Sequence, residues 1–170
     1  MTKVSTQALP SGALIQGYRE AGAYTDCFVT VVAGRVSHAR FVEAFYTSRW
    51  FKLERLVLAL VVAKPSTDAD ARRLAVGQSD AFAAWTVEAR APDQLLVCDF
   101  QSATRSWLMV AAGEGATTLY FGSVVAPRGG ARSAALMLGS LGWLHRIYAR
   151  ILLRSAVARL AALPPEPSGA

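Results

Sequence analysis

The chain has no asparagine, and its three lysines stand against fifteen arginines among 170 residues. Beside abundant alanine, this skew fits a GC-rich coding bias, so the net charge of +6 is weak evidence for an anionic partner. Cysteine is scarce. Cys27 and Cys98 lie far apart in separate apolar runs and form no CxxC pair. That excludes a disulfide framework and fits buried free thiols in a reducing compartment. Adding His38 and His145, the two histidines, gives the right number of zinc ligands but the wrong spacing, because structural zinc sites bring ligands in close pairs. No metal and no cofactor are expected. GxSxG, GxGxxG and GK[ST] are all missing, and Arg128-Gly129-Gly130 resembles a phosphate loop only loosely, so a serine hydrolase or nucleotide enzyme is not supported. The longest uncharged apolar stretches, 56–63 and 133–144, fall short of the roughly 20 residues that span a bilayer. With no apolar segment after Lys3 to suggest a secretory leader, a soluble cytoplasmic protein is expected.

What is present is a chain with 53% hydrophobic residues, enough for one domain with a core that needs no disulfide or metal. Residues 1–23, rich in Gly, Ser, Thr and Pro, read as a loose lead-in with a short apolar patch at Ala13-Leu14-Ile15. Residues 24–32 are β-branched and aromatic and read as a first strand, ended by Gly34. Ser37 caps a helix over 38–46, with Phe41, Val42 and Phe45 on one face. A second helix over 49–63 is apolar all round from Leu56 to Val62, which calls for burial or a partner, and Lys64-Pro65 ends it. Thr67-Asp68-Ala69-Asp70 has the spacing of a capped helix start, and Gly77 closes this third helix.

Four strand-like segments follow, at 81–89, 94–100, 105–112 and 117–125, joined by turns at Pro92-Asp93, 101–104 and Gly113-Glu114-Gly115. Such short connections make an antiparallel meander. After Pro127 and Gly129-Gly130 comes a helix from Ser133, its expected N-cap, to about Leu160, roughly 42 Å long. Met137, Leu141, Leu144, Ile147, Tyr148, Ile151 and Leu152 share one arc of it, and Arg146, Arg150 and Arg154 form a separate stripe. Arg159 returns to the apolar side, so the last turns are expected to run past the core. Pro164-Pro165 stops the helix, and 164–170 reads as a disordered tail, leaving 24–163 as the domain. The expected fold is α+β: five to seven antiparallel strands packed on a long C-terminal helix, with two or three short helices after the first strand.

Three segments, Thr118-Leu119-Tyr120-Phe121-Gly122, Leu144-His145-Arg146 and Ile151-Leu152-Leu153-Arg154-Ser155-Ala156, together with this order of elements, carry a resemblance. The chain resembles the START-like, or SRPBCC, helix-grip superfamily, and more narrowly is similar to a bacterial domain of unknown function placed near it. The resemblance implies a curved sheet gripping the long helix around an interior cavity. It also implies binding of an apolar small molecule or lipid, or in some members cyclase or isomerase chemistry, without selecting among these.

Several residues are candidates for that function. His145, at the edge of the apolar arc, could serve as acid or base with Asp26 or Asp99 opposite, or could simply be a satisfied helix histidine. Trp85, Phe100, Trp107, Tyr120, Phe121, Trp143 and Tyr148 could line a ligand cavity or fill the core, since strand parity alone does not fix which face each occupies. Asp26, Glu88, Asp99 and Arg105 are charges within strands, and Arg105 with a carboxylate would make either a clamp or the polar end of a ligand site. The stripe Arg146, Arg150 and Arg154, with Arg128 and Arg132 upstream, offers a surface for an anionic membrane or is a solvated face. Without interleaved aromatics it does not suit nucleic acid.

Overall fold

The computed structural model describes residues 3–62, 65–125 and 131–164, with side chains except at 54, 57–62 and 131–142. Its elements are β1 (Ser5–Thr6), α1 (Gln16–Glu20), β2 (Tyr24–Ala33), α2 (His38–Tyr46), α3 (Arg49–Val62), α4 (Asp68–Ala75), β3 (Ala81–Phe82), β4 (Trp85–Ala91), β5 (Gln94–Asp99), β6 (Thr104–Gly113), β7 (Ala116–Val125) and α5 (Ala131–Ala162). The strands form one antiparallel sheet in the order β1-β2-β7-β6-β5-β4-β3. This is the expected α+β architecture, helix-grip-like, with seven strands. Expectations for Lys64, Pro127, Arg128, Gly129-Gly130 and the tail past Pro164 lie outside the described residues. So do those for the side chains of Arg132, Ser133, Met137 and Leu141 and for the apolar run after Leu56.

Alternation along the strands sorts their side chains onto two faces. Leu119 and Phe121 of β7, Leu108 of β6, Leu95 and Val97 of β5 and Phe28 of β2 face the helices, where they meet Phe41, Phe45 and Tyr46 of α2, Phe51 of α3 and Leu74 of α4. The opposite face is apolar as well, with Cys27, Val29, Leu96, Trp107, Tyr120 and Val124. A sheet greasy on both sides needs a second cover, and the N-terminal segment provides it. Ala13 and Ile15 are buried there, and Ile15, fully buried, contributes roughly 1.5–3 kcal/mol. The lead-in is therefore ordered by packing, with β1 and α1 inside it, which its Gly- and Ser-rich composition did not signal. Gln94 fixes it in place: its amide oxygen accepts from Leu14 N at 3.0 Å and Trp107 Nε1 at 2.8 Å, and its amide nitrogen donates to Gly12 O at 3.1 Å.

The stretch expected as one strand over 81–89 is two, because Ala83 takes a left-handed φ of 52° and turns the chain so that Phe82 pairs with Trp85. No glycine or asparagine marks that turn.

α5 is rotated from the arc expected of it. Among its described side chains the buried ones are Ala149, Leu152, Leu153, Ala156 and Leu160, whereas Ile147 is 44% exposed and Trp143 59%. Alanines at 149 and 156 let the backbone approach the sheet and α2 closely, and the larger side chains then turn outward. The helix already begins at Ala131, so Ser133 lies inside its first turn and is not the N-cap. Nor does the far end run past the core. Leu160 is buried, Arg159 Nε donates to Thr47 Oγ1 at 3.2 Å, and the Arg40 guanidinium donates to the terminal carbonyls of Leu163, at 3.0 Å, and Pro164. Arg40 of α2 thus caps α5 from outside. Arg40→Ala is expected to lower stability by about 1–2 kcal/mol in denaturant titration, with Arg40→Lys intermediate.

Candidate functional site

On the helix-facing side, β6 runs Val110, Leu108, Ser106, Thr104, and the matching positions of β7 run Leu119, Phe121, Ser123, Val125. Ser106 and Ser123 are direct cross-strand partners. Where large apolar side chains give way to these small polar ones, the core is left unfilled. A cavity of about 240 Å³ results. Its apolar wall comes from Phe45, Phe51, Trp85, Phe121 and Leu152, its polar wall from Thr104, Ser106, Ser123 and His145. His145 and Tyr148, both partly exposed, stand at its α5 side.

Behind the polar wall lies Asp26, the β2 partner of Ser123. Its side chain is 9% exposed and both of its oxygens are engaged. Oδ1 accepts from Ser123 N at 2.8 Å and Ser123 Oγ at 2.6 Å, and Oδ2 lies 3.0 Å from His145 Nε2, which is also 2.7 Å from Ser123 Oγ. One proton assignment satisfies every contact. The serine hydroxyl donates to Oδ1, its oxygen accepts from Nε2–H, and the same N–H reaches Oδ2. In that tautomer the ring's lone pair is on Nδ1. The arrangement is not a hydrolytic triad, because serine and aspartate share one nitrogen instead of taking opposite ones.

The cluster also acts on its neighbours. Burial, and then the Asp26 charge, push the Cys27 thiol from 9.0 up to about 11, and the same two causes raise the Tyr24 hydroxyl. An unfolded chain releases the Cys27 proton first, so this contribution to stability is intact below pH 9.0 and is lost as pH rises toward about 11. Thermal melts should fall across that window, and Cys27→Ala should flatten the fall.

Of the residues singled out from sequence, Asp26 and His145 are brought together, and Trp85, Phe121 and Tyr148 line the cavity with them. Arg105 borders the cavity, but its guanidinium turns to the other face, where Nε pairs with Glu88 at 3.1 Å and the group stacks 4.8 Å over the Tyr18 ring. Tyr18 also donates to Glu88, so the trio clamps α1 to the sheet. Burial opposes the Arg105 charge most strongly, yet the Glu88 bond and the Cys98, Tyr18 and Glu88 charges together outweigh it and its pKa is raised. Trp107 and Tyr120 belong to the opposite face, Phe100 is exposed in the β5–β6 turn, and Trp143 is exposed on α5. Asp99 lies away from His145 and caps the turn, accepting from Ala103 N at 2.8 Å and Thr104 Oγ1 at 2.9 Å. His38 is half-buried, and burial lowers its pKa.

Cys27 and Cys98 are free and buried, while His145 faces the cavity from α5. Among the described residues no three His, Cys, Asp or Glu side chains gather to hold a metal ion. The arginine stripe is not uniformly solvated, for Arg150 sits 5.6 Å over the buried Phe28 ring. Among the described residues no helix is long and apolar enough to cross a membrane. Sequence reasoning passed over Ser106 and Ser123. Their signal was present: each is a small polar residue, at the same parity as a core leucine or phenylalanine.

No protein-family model matches the chain. No curated protein matches it in sequence. Among solved structures, the crystal structure of CalU16 from Micromonospora echinospora is similar at 10% identity, covering 95% of this chain and 94% of that one, with a TM-score of 0.31. A likeness of that size carries no functional argument.

Proposed function

We propose that the chain is a START-like helix-grip protein that binds a small apolar molecule bearing one hydrogen-bonding group in the cavity between sheet and α5. The observation that carries this reading is the contrast within one cavity wall: aromatic rings of Phe45, Phe51, Trp85 and Phe121 on one side, Ser123 and His145 anchored by Asp26 on the other. Sites built this way pair an apolar lining with a few convergent polar groups. At about 240 Å³ the space is below the roughly 300–1,000 Å³ of drug-sized sites and above the roughly 150 Å³ that holds benzene. The ligand is therefore a substituted single ring or a short chain, not a polycycle. A neutral ligand suits the site better than a carboxylate, since Asp26 supplies negative charge and the Arg105 head group lies on the other face.

Titration with indole, p-cresol, octanol and octanoate, followed by amide shifts at Ser106 and Ser123, is the test. The neutral probes should bind and octanoate should not, and Ser106→Leu, which fills the cavity, should weaken binding at least tenfold, on the order of 1.4 kcal/mol, without loss of fold. Absence of any shift with all four probes defeats the reading.

A second reading is favoured by the 3.0 Å contact between Asp26 and His145. With Nε2–H held by the carboxylate, Nδ1 can take a proton from an acidic C–H of the bound molecule, a step of isomerase or cyclase type. Solvent deuterium entering such a ligand with the unaltered protein, and not with His145→Gln, supports it. Equal exchange in both removes it.

A further inference from the structure

α3 and α5 present to solvent an apolar surface that the cavity does not explain. Trp50, Leu53 and Leu56 of α3 are 48%, 51% and 56% exposed, and Trp143, Leu144 and Ile147 of α5 are 59%, 45% and 44% exposed. The two sets are continuous. Trp50 and Leu53 line one groove with Ile151, Arg154 and Ala158 of α5, and Ile147 and Trp143 continue that face by successive turns. Isolated exposed hydrophobics are ordinary, whereas a contiguous patch with two tryptophans marks a contact surface.

Charge says what kind of contact. Arg49 and Arg154 border the groove, and neither forms an ion pair among the described residues. Along its 32 residues α5 carries no Asp or Glu. A second copy of the chain would bring two surfaces rimmed by these arginines together, and the like charge opposes self-association. Tryptophans at the level of headgroups, aliphatic side chains below them and arginines at the rim are what an anionic bilayer surface accepts.

We propose that the α3–α5 face docks onto the surface of an anionic phospholipid bilayer, with Trp50, Leu53, Trp143 and Ile147 entering the interfacial layer and Arg49 and Arg154 meeting lipid phosphates. The docking is peripheral and does not depend on what the cavity holds. Sedimentation of the full chain with vesicles of phosphatidylcholine mixed with phosphatidylglycerol, against pure phosphatidylcholine, tests it. Binding to the mixed vesicles is expected, with a blue shift of tryptophan emission and weakening as salt is raised. Arg154→Glu and Trp143→Ala change exposed positions, so both should melt like the parent while binding falls about tenfold for each. Ser106→Leu should bind vesicles normally. No binding, equal binding to both vesicle types, unchanged binding by either surface variant, or a stable dimer in solution that shields Trp50 and Trp143 would overturn the proposal.

Discussion

Gly122→Ala is expected to destabilise the fold by about 3 kcal/mol, at the top of the usual range for overpacking, and to lower the melting temperature by roughly 10 °C. A Cβ built at Gly122 would lie 2.7 Å from the Asp26 carbonyl oxygen, 2.9 Å from Cε3 of Trp107 and 3.1 Å from Cδ1 of Ile15. Each neighbour is held for a separate reason. The carbonyl belongs to β2, paired to β7 along its whole length; the Trp107 ring is fixed by its bond to Gln94 and has no exposure; and Ile15 pins the N-terminal segment onto the sheet. Only the Ile15 methyl is a side-chain tip that can yield; the carbonyl and the indole, which are closer, cannot, so β2 and β7 must part or the indole must leave its seat. Gly113→Ala is the control. It lies in the same sheet, its nearest contact is an ordinary 3.6 Å, and it should be nearly neutral. Chemical denaturation of both variants decides the matter: equal stability of the two would mean that the indole does not rest on Gly122. Hydrogen exchange should show residues 13–18 loosened in Gly122→Ala before the α2 helix, because the strain falls on the N-terminal cover.

The same position shows how far the sequence was legible. A glycine inside a strand announces close approach, but nothing local says that the approaching group is a tryptophan on the next strand with an isoleucine from the lead-in behind it. Element order was readable because capping and turn signals are local: Ser37 accepts from Arg40 N, and Thr67 and Asp70 form a reciprocal capping box. The face of α5 was not, since it is apolar around most of its circumference and small alanines, which carry little hydrophobic signal, mark the contact side. The pairing of His145 with Asp26 was foreseeable as chemistry. That Ser123 bridges the two was not, although its small polar side chain at a core parity marked it, because cross-strand register depends on pairing between residues about a hundred positions apart.

Asp26→Ala should destabilise the protein by about 3–4 kcal/mol, because removing the carboxylate leaves the Ser123 amide and hydroxyl with no acceptor in a mostly buried place and takes from His145 Nε2 one of its two partners. The size of the loss is diagnostic only beside its partners. Ser123→Ala keeps the carboxylate, the Ser123 N–H bond and the histidine contact, so about 1 kcal/mol is expected. Asp26→Asn preserves shape and one acceptor oxygen. Its amide can donate to His145 only if the ring proton moves to Nδ1, which is the wrong tautomer for an Nδ1 base. Asp26→Asn should therefore fold nearly as well as the parent, at a cost of about 1 kcal/mol, and still bind neutral cavity probes, while losing any proton transfer carried by His145. A double-mutant cycle between Asp26→Ala and His145→Ala isolates their coupling, expected at about 1–2 kcal/mol. Coupling near zero would mean that aspartate serves only the sheet, fastening Ser123 across β2 and β7, and that the histidine meets the cavity without its help.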